Sequence, residues 1–106
     1  MSVSTSKAAY EDCYALLDRA LESHVGIRHK QPNEGQAMIM RMRLNYARTL
    51  ARDANAEIFP PDHPQHGISV YDPLLIRVVF DERVWWIYIE QRTISEEHIE
   101  ELQRDA

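Results

Sequence analysis

Leu74-Leu75-Ile76-Arg77-Val78-Val79-Phe80, Asp81-Glu82-Arg83, Val84-Trp85-Trp86-Ile87-Tyr88-Ile89-Glu90-Gln91: two runs rich in β-branched and aromatic residues flank a polar triplet. Such residues favour a pleated, half-buried surface and the triplet reads as a turn, so the stretch predicts a β-hairpin. Alternation divides its side chains between two faces. Leu74, Ile76, Val78 and Phe80 share one side of the first strand, and Trp85, Ile87 and Ile89 share one side of the second. Opposite them lie Leu75 and Val79, and Val84, Trp86 and Tyr88. Both sides are too apolar for a sheet with one face in water. Helices must cover one face, and a short third helix or a second copy of the chain must cover the other, so a homo-oligomer is expected. Two strands alone are marginal. Ser69-Val70-Tyr71, just before Pro73, offers a short edge strand, which places a small antiparallel sheet in residues 69–91.

Upstream of the hairpin, apolar residues recur at helical spacing. Ala9, Cys13, Leu16, Leu17, Ala20, Leu21 and His24 fall on one side of a helix expected over residues 4–25, with Gly26 as its left-handed stop. Arg28 to Gly35 contains Pro32, Asn33 and Gly35 and reads as a loop. A second helix is expected over residues 36–58, with Met40, Leu44, Ala47, Ala51, Ala54 and Ile58 as its stripe. Three alanines in that stripe let a neighbour approach closely, and the expected arrangement is an antiparallel helix pair. Met38, Met40 and Met42 point in different directions and read as core filling. Pro60, Pro61 and Pro64 then break regular structure, leaving a loop from Asp62 to Gly67. Downstream, Thr93-Ile94-Ser95-Glu96 has the form of a capping box, predicting a short helix over residues 94–104 with Ile99 and Leu102 inward.

The order helix, helix, strand, strand, helix contains no βαβ unit, which excludes a parallel dinucleotide-binding sheet. The fold class is α+β. A single domain over residues 1–106 packs an antiparallel N-terminal helix pair on a C-terminal antiparallel β-hairpin or small sheet. At 106 residues and 44% hydrophobic composition the chain supports one core and is not of the disordered class. No apolar run approaches the length of a membrane helix, and Met1 to Lys7 lacks a signal-peptide profile. With Cys13 as the single cysteine, no internal disulfide can form, and a reducing cytoplasmic setting is expected.

Charge is unevenly spread over a chain of net charge −5. Between residues 28 and 52, Arg28, Lys30, Arg41, Arg43, Arg48 and Arg52 face the single acid Glu34. From residue 96 onward Glu96, Glu97, Glu100, Glu101 and Asp105 outnumber Arg104. An acidic body makes generic nucleic-acid binding a poor reading. A basic patch on such a body suits a small anion, or an acidic surface on a partner or sister subunit.

The sharpest candidate is a row on the second helix: Arg41, Asn45, Arg48 and Arg52, with Asn55 close to the line. Guanidinium forks match phosphate or carboxylate, and Tyr46, Tyr71, Trp86 and Tyr88 are the rings available to stack on a base. The plain alternative is a solvated helix face, or ion pairs with the acidic third helix. His63 and His66 sit in the loop where they could line such a site. As metal ligands they lack a second pair, so no metal and no cofactor is expected. His63 or His66 with Ser69 and Asp72 supplies the residue types of a hydrolytic triad. No nucleophile turn or oxyanion loop accompanies them, so Ser69 and Asp72 read as turn-formers around Pro73. Cys13 reads as packing, while Arg77 and Glu90 are placed to meet across the hairpin.

Together these features predict a non-enzymatic binding protein, a small homo-oligomer that captures an anionic, nucleotide-like ligand. A phage-type protein sequestering a nucleotide immune signal would take this form. Arg48 and Arg52 would then be exposed, and their loss would abolish binding without harming the fold. The alternative is a protein-interaction module, such as a phage-type inhibitor or assembly factor, docking through Trp86 and Tyr88 or through the charge asymmetry.

Overall fold

The computed structural model describes residues 8–92. In chain order the elements are α1 (Glu11–Glu22), β1 (Gly26–Gln31), α2 (Glu34–Ile58), β2 (Leu74–Asp81) and β3 (Val84–Gln91). The class is α+β, with two helices and a three-stranded antiparallel sheet of order β1-β3-β2. The expected C-terminal helix over residues 94–104 lies outside the described residues.

The hairpin forms where the alternation places it. Leu74 pairs with Gln91 and Asp81 with Val84, leaving Glu82 and Arg83 as the two-residue connection. Both have positive φ, 50° and 65°, the signs required by a turn that matches the strands' twist.

The third strand is not where it was expected. Ser69-Val70-Tyr71 forms turns, and its place in the sheet is taken by Gly26–Gln31, read above as loop. β1 lies against β3, with Ile27 opposite Ile89 and Gln31 opposite Trp85. Its period-two signal is hidden because the series on the core side of the sheet is Ile27, His29 and Gln31, of which only Ile27 is apolar and His29 is exposed. Gln31 is nevertheless buried, and its Nε2 lies 2.8 Å from His29 Nδ1.

Gly26 has a different task from the one inferred. α1 ends at Ser23, and Gly26, at φ 119°, begins the strand. A Cβ there would overlap the Ile89 carbonyl oxygen and stand 2.7 Å from Glu90 Cα. Glycine is needed for both the backbone conformation and the close approach of β1 to β3. Ser23 helps the entry, its Oγ accepting from Gly26 N at 3.0 Å and donating to Gly26 O at 2.9 Å. Gln91 locks the same corner from β3, donating through Nε2 to the carbonyls of Ala20, Leu21 and Ser23.

With a strand between them, the helices do not form a helix hairpin. Arg43 of α2 reaches Asp12 and the Ala9 carbonyl, and the Tyr14 hydroxyl donates to Ala47 O at 2.8 Å. These contacts join the two helices without establishing the antiparallel pair expected. α2 begins with Asn33 as cap, its side chain accepting from Gln36 N at 2.9 Å.

One core joins the layers: Cys13, Leu17 and Ala20 from α1, Leu44 and Ala47 from α2, and Leu74, Ile76, Ile87 and Ile89 from the hairpin. The α2 stripe holds at Leu44 and Ala47 and lapses beyond them. Ala51 and Ala54 are half-buried, and Ile58, expected inside, is 70% exposed. Burial pushes the Cys13 thiol up to about 11, and its role is packing.

Candidate functional site

The helical arginine row is a brace. Arg48 Nη1 donates to Tyr71 O at 3.1 Å and also to Leu74 O, while its Nη2 donates to Asn45 Oδ1 at 2.7 Å. Arg52 Nε bonds Asp72 Oδ1 at 2.7 Å, and Asn55 Nδ2 donates to Ile68 O. Side chains one turn apart on α2 thus fasten the segment 68–74 that leads into β2. Arg48 and Arg52 are half-buried, against the exposed positions expected. Desolvation first, and then the charge of Arg52, lower the Arg48 pKa. The partners are loop carbonyls and Asp72, which the sequence reading did not anticipate. Arg41, also half-buried, stands apart from this set.

The same segment explains Ser69 and Asp72. Ser69 N donates to Asp72 Oδ2 at 3.2 Å, Tyr71 N to Ser69 Oγ at 3.0 Å, and Asp72 N to Ser69 O at 3.0 Å. These bonds build turns and involve no histidine. His66 Nδ1 lies 2.7 Å from Phe59 O, while the His63 ring stacks on Phe59 at 4.4 Å and its Nδ1 accepts from Gln65 N. Both histidines order their own loop. Among the described residues no group of three His, Cys, Asp or Glu side chains could hold a metal ion.

The four expected stacking rings are divided between two places. Tyr46 and Tyr71 border a groove of about 850 Å³ on the helical side. Trp86 and Tyr88 project from the other face of the sheet, since Ile87 and Ile89 of the same strand are fully buried on the core side. The helix arginines and these two rings therefore flank opposite sides of one sheet and cannot share a ligand.

Sequence reasoning passed over the cations that do accompany Trp86 and Tyr88. Lys30 stands opposite Trp86 and Arg28 opposite Tyr88 on β1, while Arg77 stands opposite Tyr88 on β2. The Arg28 guanidinium lies over the Trp86 ring at 3.7 Å, and that of Arg77 over the Tyr88 ring at 4.9 Å. Arg77 also grips Glu90, with Nε to Oε1 at 2.6 Å and Nη2 to Oε2 at 3.1 Å. That bond holds the Glu90 carboxyl below the usual carboxylate range. Arg28 has a looser ionic neighbour in Asp81, at 3.9 Å. Lys30 is exposed and in no ion pair among the described residues.

Leu75 and Val79 complete this outer face from β2. The signal that could have revealed it was Arg28 and Lys30 at alternate positions, legible only once β1 is known to be a strand. No described helix covers the face, both helices contributing to the core on the other side. Nor is any helix of the described residues long and apolar enough to cross a membrane. Compared with protein-family models, curated proteins and solved structures, the chain finds no match.

Proposed function

We propose that the protein is a non-catalytic binding module that takes an anionic, nucleotide-like ligand on the outer face of its sheet. The observation that carries this reading is the position of Trp86 and Tyr88 on the central strand, with Arg28, Lys30 and Arg77 on the strands either side. An aromatic face binds planar rings, and a guanidinium stacked on it adds a second surface on which a base can lie. The exposed ammonium of Lys30, beside Trp86, offers a cation to a phosphate. Strands hold these groups at fixed spacing, so little order has to be imposed when a ligand arrives.

Titration with adenine and guanine mono-, tri- and cyclic nucleotides, followed by calorimetry and tryptophan fluorescence, tests the reading. Saturable binding is expected, weakened by ~1–3 kcal/mol in each of Trp86→Ala and Tyr88→Ala. Lys30→Ala should flatten its salt dependence. Undiminished binding by Trp86→Ala, or no binding of any nucleotide, would overturn it.

A second reading uses the same face to dock a protein partner, including another copy of the chain. It is favoured by Leu75, 37% exposed, and by Val79 beside Trp86, which widen the apolar surface beyond what a base covers. Under that reading nucleotides have no effect, and Trp86→Ala dissociates the complex or oligomer.

A further inference from the structure

On the helical side of the molecule, α1, the second half of α2 and the segment Ser69–Tyr71 enclose an open groove of about 850 Å³. Its lining is apolar along Tyr14, Leu50, Ala51, Ala54 and Tyr71. The rim is apolar too, and lies in water: Tyr46 is 49% exposed, Ile58 70% and Val70 65%. Water-facing apolar side chains gathered around one concavity mark a surface that has a partner.

Charge selects the partner. Every ionisable side chain of the lining other than tyrosine is a carboxylate: Glu11 and Asp18 on α1, Asp53 and Glu57 on α2. Positions seven apart on one helix and four apart on the other keep each pair on one flank. None of the four enters an ion pair among the described residues, whereas Asp12, one position from Glu11, is held by Arg43 at 2.8 Å. Asp18 accepts the Tyr71 hydroxyl, at 2.7 Å. The groove thus has an apolar floor between two rows of negative charge.

A small ammonium ion would satisfy the carboxylates and leave Ile58 and Val70 in water. An acidic or neutral peptide would cover them and leave the carboxylates facing its own charge or none. A basic amphipathic helix satisfies both, with its apolar stripe on the floor and lysines or arginines on its two flanks. We infer that this groove is the docking site for a basic amphipathic helix of a protein partner. The inference is independent of the sheet-face proposal, since it uses none of the same residues and lies on the opposite side of the sheet.

A suitable probe is a fluorescein-labelled leucine–lysine peptide about 15 residues long, near the length at which an isolated helix becomes tenable in water. Its binding to the whole chain is read by anisotropy. Asp53 and Glu57 are exposed, so Asp53→Lys and Glu57→Lys should keep the fold by circular dichroism. Each should weaken the peptide by about tenfold, while Glu82→Lys, in the exposed hairpin turn and outside the groove, should leave it unchanged. Val70→Ser should weaken it without altering the charge of the groove. Equal binding to all variants, or equal binding by a peptide of the same composition with its apolar stripe scrambled, would mean attraction to net charge alone and overturn the inference. So would the absence of peptide binding, with sedimentation showing self-association that Val70→Ser weakens; the groove would then be a contact between copies.

Discussion

Arg48 and Arg28 show how one residue type can brace a chain segment in one place and lie against an aromatic ring in another. Arg48 turns its Nη1 onto the carbonyls of Tyr71 and Leu74 and its Nη2 onto Asn45. Hydrogen bonds to a charged donor are worth about 1.5–3 kcal/mol each when their loss strands a partner, less where water can replace it. Arg48→Ala is therefore expected to destabilise the protein by about 2 kcal/mol and to leave nucleotide affinity unchanged. Arg48→Lys should restore little, because an ammonium lacks the planar fork that spans three acceptors. Urea denaturation and nucleotide titration of the same variants decide this, and a stable Arg48→Ala protein with lost affinity would return the site to the helix. The spacing of Arg41, Asn45, Arg48 and Arg52 was legible from the sequence. Their partners were not, because the Tyr71 and Leu74 carbonyls and the Asp72 carboxylate belong to a stretch whose path against the helix no side-chain pattern announces.

At the scale of elements, the hairpin was legible in its strands and turn because alternation and β-branching agreed over sixteen strand residues. β1 was not, since two of its three inward positions are His29 and Gln31 and the feature that admits it to the sheet is the missing Cβ of Gly26. Absence of a side chain carries no periodic signal. The turn holds a further consequence. Glu82 and Arg83 both occupy positive φ, where residues with a Cβ are disfavoured by of order 1 kcal/mol or more each. Asparagine and glycine accept these dihedrals in this order. The double substitution Glu82→Asn, Arg83→Gly should raise stability by about 1 kcal/mol, read as an increased urea midpoint at unchanged slope. Both side chains are exposed and neither contributes to the core, so an equal or lower midpoint would show that the turn is not strained as its φ values indicate.

At the scale of the whole molecule, the described residues form two layers sharing one core, with a basic aromatic face on one side and an acidic groove on the other. Charge counted along the sequence had suggested a single basic patch over residues 28–52. Folding disperses it, sending Arg28 and Lys30 to the sheet's outer face, Arg43 to Asp12, and Arg48 and Arg52 to the segment before β2. The class and the buried faces of the hairpin survive that dispersal because they depend on local alternation, whereas a patch depends on topology. Cooperativity should follow from the same arrangement. Leu44 and Ile87 are both 0% exposed and belong to one cluster with residues of α1, α2, β2 and β3. Neither layer keeps its apolar surface covered if the other leaves. Leu44→Ala, on the helical layer, and Ile87→Ala, on the sheet, should each cost about 2–5 kcal/mol, a large part of the ~5–15 kcal/mol typical of one domain. For each variant the far-ultraviolet signal, dominated by the helices, and the fluorescence of Trp85 and Trp86, carried by the sheet, should fall at one shared midpoint. Separate midpoints, with Leu44→Ala loosening the helices while the tryptophans stay native, would mean that the sheet stands without the helices and that the shared core does not couple them.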